Sequence, residues 1–352
     1  MLTPKLKHQS LRDLAWMLFS PPLISLADNN DVREFWPARD LDTPSLIAWL
    51  QQLDADPSAL NKHLTALKSP RLGIYFEGLC AFFFMHFEGF ELLAHNLQVN
   101  RELQGKTKQT LGEYDFIVRH KGEVLHIETA VKFYLGTGES LKDTETFHWV
   151  GPNANDRLDK KVDRLLSHQL ALSTWPEGQQ RLQEISVAKT QRCLLMTGYL
   201  FYPLHQNCPP PAQSHPQHCR GKWLTVSDLR VLINNLRHSS HWQILAKNLW
   251  LGPAAVNTRE PTVNSVLRGK DMLEYLDEYF SESKSLSEEE ILLQKRARLA
   301  RNPNLSHRPL LLCHLERPEG IQDEDVYLEQ ERYFVVPDYW PTTARPSRNT
   351  KS

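Results

Sequence analysis

The 352-residue chain has no surplus of charge, since 41 lysines and arginines stand against 42 acids and leave a formal charge of −1. No global field draws it to nucleic acid or to an anionic membrane, so any such attraction must come from a local patch. Cysteine is scarce. Cys80, Cys193, Cys208, Cys219 and Cys313 are odd in number and widely scattered, which argues against a disulfide framework and leads us to expect a reducing, cytoplasmic location. No run approaches the roughly 18 apolar residues of a membrane helix. The nearest, Leu14 to Ala27, follows Lys5, Lys7 and Arg12 like a signal peptide, but Asp13, Pro21 and Pro22 interrupt it. Glycine-rich phosphate loops, a Gly-x-Ser-x-Gly elbow and a dinucleotide fingerprint are missing as well. Gly136-Thr-Gly138 is too short to cradle a phosphate, and no internal repeat is visible.

What remains is an ordinary globular composition, 41% hydrophobic and 24% charged, enough to bury a substantial core. Residues 1–70 alternate short helical patterns with proline stops and read as a helical N-terminal subdomain. Residues 71–205 read as a mixed α/β core: an apolar helix from Gly73 to Phe87, a hairpin, an amphipathic helix from Arg157 to Leu170, and a strand from Gln191 to Tyr202. Residues 206–352 form a helical and strand extension. It comprises a proline-rich loop at 207–220, a helix from Ser227 to Trp250, a capping-box helix at Ser287–Glu290, and strands at Arg308–Leu315 and Arg332–Val336. His205, Cys208, His215, His218 and Cys219 crowd the loop, but their spacing matches no standard zinc finger, and an incidental polar loop is the favoured reading.

The hairpin carries the chemistry. Its two strands flank Lys121-Gly122, and a two-residue turn there pairs His120 with Glu123 and brings Asp115 opposite Glu128. Alternation puts Tyr114, Phe116 and Val118 on one face and Glu113, Asp115 and Ile117 on the other. In the second strand His126, Glu128, Ala130 and Lys132 share a face. Opposed carboxylates repel, and Mg²⁺ or Mn²⁺ is the hard cation that would compensate them. The bland alternative is a solvated acid face with a Glu113–Lys132 cross-strand pair. Glu77 adds weight to the first reading, because it sits in a helix apolar nearly all round, where a carboxylate needs a partner. On the 157–170 helix, Lys160, Lys161, Arg164 and His168 lie off the apolar face formed by Leu158, Val162, Leu165 and Leu166. Those bases could contact phosphate or simply pair with Asp159 and Asp163.

The run Tyr75-Phe-Glu77, Ala94-His-Asn-Leu-Gln-Val99, Gly112-Glu-Tyr-Asp-Phe116 and Glu128-Thr-Ala-Val-Lys-Phe-Tyr-Leu-Gly136 resembles the PD-(D/E)xK nuclease-like superfamily, and within it an uncharacterised bacterial domain-of-unknown-function family. The resemblance covers most of the chain, down to Arg332-Tyr-Phe-Val-Val-Pro-Asp338. It implies a restriction-endonuclease-like core and a metal-dependent nuclease that hydrolyses phosphodiester bonds in nucleic acid, with DNA the expected substrate. It also implies Asp115 and Glu128 as Mg²⁺ or Mn²⁺ ligands, Glu77 completing or orienting the metal shell, Lys132 acting on water or phosphate, and Lys160, Lys161 and Arg164 contacting nucleic acid. This sequence departs from the superfamily pattern at one place: Ala130 stands two residues after the acid and the lysine is displaced to Lys132. The alternative function is a catalytically silent nuclease-fold protein that binds nucleic acid or a protein partner.

Overall fold

The computed structural model describes residues 6–27, 29, 31–102, 108–138, 140, 142–236, 240–259, 266–280, 308–318, 325–338 and 340. The expected capping-box helix at Ser287–Glu290 and the tail beyond Pro341 lie outside them. In chain order the elements are α1 (Gln9–Phe19), β1 (Val32–Glu34), α2 (Pro37–Asp40), α3 (Thr43–Ala55), α4 (Ser58–Thr65), α5 (Leu72–His86), β2 (Phe90–Glu102), β3 (Lys108–His120), β4 (Glu123–Gly136) and β5 (Trp149–Val150). They continue with α6 (Leu158–Arg164), α7 (Pro176–Glu184), β6 (Gln191–Pro203), β7 (Cys219–Thr225), α8 (Val226–Asn235), β8 (His241–Leu245), β9 (Ala255–Asn257), β10 (Leu267–Arg268), α9 (Gly269–Tyr279), β11 (Leu310–Glu316) and β12 (Val326–Val336).

The strands form one mixed sheet in the order β10-β8-β11-β12-β7-β6-β4-β3-β2, with β1, β5 and β9 added beside β6, β4 and β12. The β4, β6, β7 and β12 pairings are parallel, while the two ends of the sheet are antiparallel. The fold is therefore mixed α/β. One face of the sheet is covered by α1, α3, α4 and α5 through a core that joins Leu14, Leu46 and Phe83 to Phe116, Phe201 and Phe334. The opposite face is covered by α6, α7, α8 and α9 through three smaller cores. The sheet and the large core thus run through all three segments of the chain. Helix α5 is apolar because it is enclosed: Phe76, Leu79, Phe82, Phe83 and Phe84 are each buried, with Trp49 of α3 stacked on Phe82 and the sheet beneath. Each such side chain contributes about 2 kcal/mol of burial free energy.

The apolar stretch that begins at Leu14 is a core helix here, with Leu11, Leu14, Met17 and Leu18 all buried. Charge is buried with it. Asp13 accepts from the amide of Gly252, the Tyr75 hydroxyl and the Gln9 amide at 2.8–2.9 Å, and Arg332 lies 4.3 Å over the Tyr199 ring while pairing with Glu329. Arg332 also donates to the Gly252 carbonyl at 3.2 Å, so Gly252 links the start of the chain to its last strand. No helix among the described residues is long and apolar enough to cross a membrane.

Two expectations are corrected. The helix expected from Ser227 to Trp250 ends at Asn235, and His241–Leu245 is a strand between β10 and β11. Trp242 and Leu245 suit a helix stripe as readily as a strand, and sheet pairing decides the matter. The amphipathic helix from 157 to 170 is α-helical only to Arg164; a widened π turn follows at Leu165–Gln169 and a tight 3₁₀ turn at Leu170–Thr174.

Candidate active site

The β3–β4 turn is the expected one. Lys121 and Gly122 both take positive φ, +49° and +82°, as a type I′ hairpin requires, and His120 pairs with Glu123. Pairing then runs back to Phe116 opposite Ile127 and stops, while β4 continues beside β6 as far as Leu135 and β3 continues beside β2. The two strands part at Asp115 and Glu128, the next positions in the same register. The parting leaves two strand amides without ladder partners, and a buried amide must find another acceptor. The acids supply it: Thr129 donates its amide to Asp115 Oδ2 at 2.8 Å and its hydroxyl to the same oxygen at 3.1 Å, and the amide of Asp115 reaches Glu128 Oε1 at 3.4 Å. Tyr114, expected on the face of Phe116 and Val118, has turned instead into the cluster of Ile117 and Leu172, its ring edge-on to His126 at 4.7 Å. With β4 gone from its side, β3 is free to twist there.

Glu128 is fully buried and both its oxygens are engaged. Oε1 lies 2.9 Å from His126 Nε2, and Oε2 accepts from Gln169 Nε2 at 2.9 Å. His126 in turn has Nδ1 3.3 Å from the Ser173 hydroxyl. Burial pushes Glu128 up to about 8 and His126 down to about 3, each away from the charged form that an ion pair would need. Asp115, 7% exposed, is raised to about 7 by burial and then by the charge of Glu128. Glu77 is raised to about 7, first by burial and then by Asp115, Glu113 and Glu128 in turn. The charges of Asp115 and Glu128 thus reach Glu77 on helix α5. Glu113, exposed on β3, adds to the field on all three. Its position two residues before Asp115, on the same face, was the signal for it.

Lys161 is the cation of this cluster. Its charge acts on Glu77, Glu128 and Asp115, and its ammonium donates to Gln169 Oε1 at 3.3 Å. Burial and the neighbouring charge of Lys132 lower its pKa. Gln169 thus bridges Lys161 and Glu128, and the π turn at Leu165–Gln169 sets its position on the helix relative to Lys161; widened turns of this kind frequently mark functional sites. Sequence pattern gave no sign of Gln169 or Ser173, and it placed His126 on the face of Glu128 without giving it a role. Lys132 shares the face of Glu128, but its ammonium is 2.6 Å from Asp156 Oδ2, and the cross-strand pair with Glu113 does not form. Lys160 and Arg164 are exposed on α6. Asp159 pairs with Arg157, and among the described residues neither Lys160 nor Arg164 has a carboxylate at contact distance.

Among the described residues no three His, Cys, Asp or Glu side chains are gathered as a ready metal site, in the proline-rich loop or elsewhere. His218 of that loop is buried with Nε2 2.8 Å from the Tyr202 hydroxyl, a structural role. A family profile described as a domain of unknown function, DUF1853, matches residues 12–336. No curated protein and no solved structure matches the chain.

Proposed function

This chain belongs to the DUF1853 family, and we propose that it is a divalent-metal-dependent nuclease hydrolysing phosphodiester bonds in nucleic acid, with DNA as the substrate. The observation that supports the reading is the trio Glu77, Asp115 and Glu128 at the parting of two strands, each acid raised toward neutral pH, with Lys161 coupled to all three. Mutually repelling buried acids beside one lysine cost folding free energy, and such perturbed groups cluster at functional sites.

The donor set suits Mg²⁺ or Mn²⁺ in its chemistry. Hard carboxylate oxygens are what these ions prefer, and among the described residues Asp115 Oδ1 and the Glu77 carboxylate accept no hydrogen bond. Asp115 and Glu128 would hold the ion and Glu77 would complete or orient its shell. When bound, such an ion polarises a phosphoryl oxygen and makes water a better nucleophile. The chain's own part is to hold and to neutralise. Gln169 and His126 fix the rotamer of Glu128, Lys161 places positive charge beside the acids where phosphate charge develops, and Lys160 and Arg164 offer contacts to the backbone. This is the chemistry that resemblance to the PD-(D/E)xK superfamily implies, with the lysine drawn from a helix instead of the strand.

The test is cleavage of duplex, single-stranded and branched DNA, and of RNA, with and without Mg²⁺ or Mn²⁺. Cleavage that needs the metal and falls about 100-fold or more in Asp115→Asn and Glu128→Gln is expected. Absence of metal-dependent cleavage on every substrate leaves the second reading, a catalytically silent nuclease-fold protein that binds nucleic acid or a protein partner. The full engagement of both Glu128 oxygens by His126 and Gln169 is the observation that favours it.

A further inference from the structure

Strand β4 is open along part of one edge. On its other edge it pairs with β6 from Leu125 to Leu135 without interruption. On the open side β3 holds it as far as Ile127, and β5 takes over only at Leu135, opposite Val150. From Glu128 to Tyr134, roughly 20 Å of strand, no described strand pairs on that side. Solvent reaches the middle of the stretch, where Val131 and Lys132 are half-buried, whereas Thr129, Ala130 and Phe133 are each 7% exposed.

The backbone of that stretch faces outward at every second residue. A two-residue hairpin makes His120 and Glu123 a hydrogen-bonded pair, and such pairs alternate along the ladder, so the odd-numbered residues of β4 direct N–H and C=O away from β6. Three contacts fix the phase. Thr129 donates its amide to Asp115 Oδ2 at 2.8 Å, and just past the end of the strand Thr137 donates its amide to the His148 carbonyl at 2.8 Å. The Lys132 carbonyl, at an even position, faces Gly198 of β6 instead. Between the two threonines stand Val131 and Phe133, whose amides and carbonyls have no hydrogen-bond partner on this edge among the described residues.

We propose that this edge takes an extended polypeptide segment of a partner protein as an added antiparallel strand between β3 and β5. An N–H and a C=O at each of Val131 and Phe133 is the complement of a peptide backbone, which carries both groups. A nucleic-acid strand presents phosphate acceptors and would leave the two carbonyls unanswered. Both β3 and β5 run antiparallel to β4, so a guest strand in that sense joins them into one ladder. The faces of the sheet set its sequence pattern. Side chains opposite Val131 and Phe133 fall on the side of the large core, against which both pack, and must be apolar. Those opposite Lys132 meet its ion pair with Asp156 and must be polar. The partner segment therefore alternates apolar and polar residues.

The full chain in EDTA tests the assignment, so the outcome stands apart from the nuclease reading. In the free protein the amides of Val131 and Phe133 should exchange with solvent about 100-fold or more faster than those of Leu125 and Ile127, which lie in the β3 ladder. The fluorescein-labelled peptide Lys-Thr-Val-Thr-Val-Thr-Lys should bind, as read by anisotropy, and slow that exchange. N-methylation of its valines removes the donors directed at β4 and should weaken binding about tenfold or more, whereas N-methylation of its threonines, whose amides point the other way, should not. Val131→Pro takes a donor from an edge where no ladder bond is lost, and should keep the fold while losing the same affinity. Slow exchange of the two amides in the free protein, no binding of the peptide, or equal binding of the valine-methylated peptide would overturn the proposal.

Discussion

Lys132 Nζ lies 2.6 Å from Asp156 Oδ2, so the lysine nearest in sequence to Glu128 is held at the loop before α6, while Lys161 from α6 carries the charge that acts on the acids. The two lysines interact, since Lys132 helps to depress Lys161. If charge beside the phosphate is what catalysis needs, Lys161→Met should lower single-turnover cleavage about 100-fold at saturating metal. Lys132→Met should cost far less, because it removes a half-exposed pair. A Lys161→Met enzyme as fast as wild type, with Lys132→Met inactive, would reverse the assignment.

Metal should stabilise the folded protein. Asp115 and Glu128 meet at the strand parting only in the native state, with Glu77 coupled to them from α5, so Mg²⁺ or Mn²⁺ bound there at a hundredfold excess over Kd should add about 2.7 kcal/mol and raise Tm by several degrees. Asp115→Asn should abolish that rise while keeping the fold. An identical metal response in wild type and variant would remove Asp115 from the site.

The metal-free protein should lose stability as pH rises from about 6.5 to 8.5. An acid whose pKa is raised by folding binds its proton more tightly in the native state, so its contribution is complete below its unfolded pKa of roughly 4 and fades as pH passes the folded value. Those values are about 7 for Asp115 and Glu77 and about 8 for Glu128. His126, depressed to about 3, acts oppositely, but only below its unfolded value of roughly 6.5. The upper window therefore belongs to the acids, at up to about 1.4 kcal/mol per pH unit for each fully buried one and less for half-exposed Glu77. Denaturant midpoints in EDTA should fall across it, and Glu128→Gln should flatten the slope. A wild-type midpoint that is constant or rising would contradict the coupling of these acids.

The register of the hairpin was legible because a two-residue turn with glycine fixes it locally, and every residue pair back to Phe116 follows by counting. The parting of β3 from β4 was not, because it depends on β4 choosing β6 and β3 choosing β2, partners remote in sequence. The same limit explains Tyr114, whose face changes where the ladder ends. Glu77 stood out because an acid in an all-apolar helix demands an explanation. Gln169 could not, since a glutamine eight residues beyond Lys161 acquires meaning only when the helix widens between them. The strand at His241–Leu245 reads as a continuation of the helix in sequence because five residues are too few for either period to declare itself.

The last prediction tests the pairing on which the site depends. Gly198 stands opposite Lys132 in the parallel β4–β6 ladder with φ of +149°, and a Cβ there would lie 1.7 Å from the Lys132 carbonyl oxygen. No side-chain rotation relieves a clash between Cβ and backbone, so the strands must separate or β6 must change its backbone. Either response disturbs the strand that presents Glu128 four residues away. Gly198→Ala should therefore destabilise the protein by about 3 kcal/mol or more, and the loss should appear in denaturant midpoints with or without metal. Gly122→Ala, at the turn, also faces a positive φ of +82° but has nothing within 4 Å of the added methyl. It should cost about 1 kcal/mol from backbone strain alone. A Gly198→Ala protein no less stable than Gly122→Ala would show that β4 and β6 do not pair in this register, and the positions of Glu128 and Lys132 would have to be redrawn.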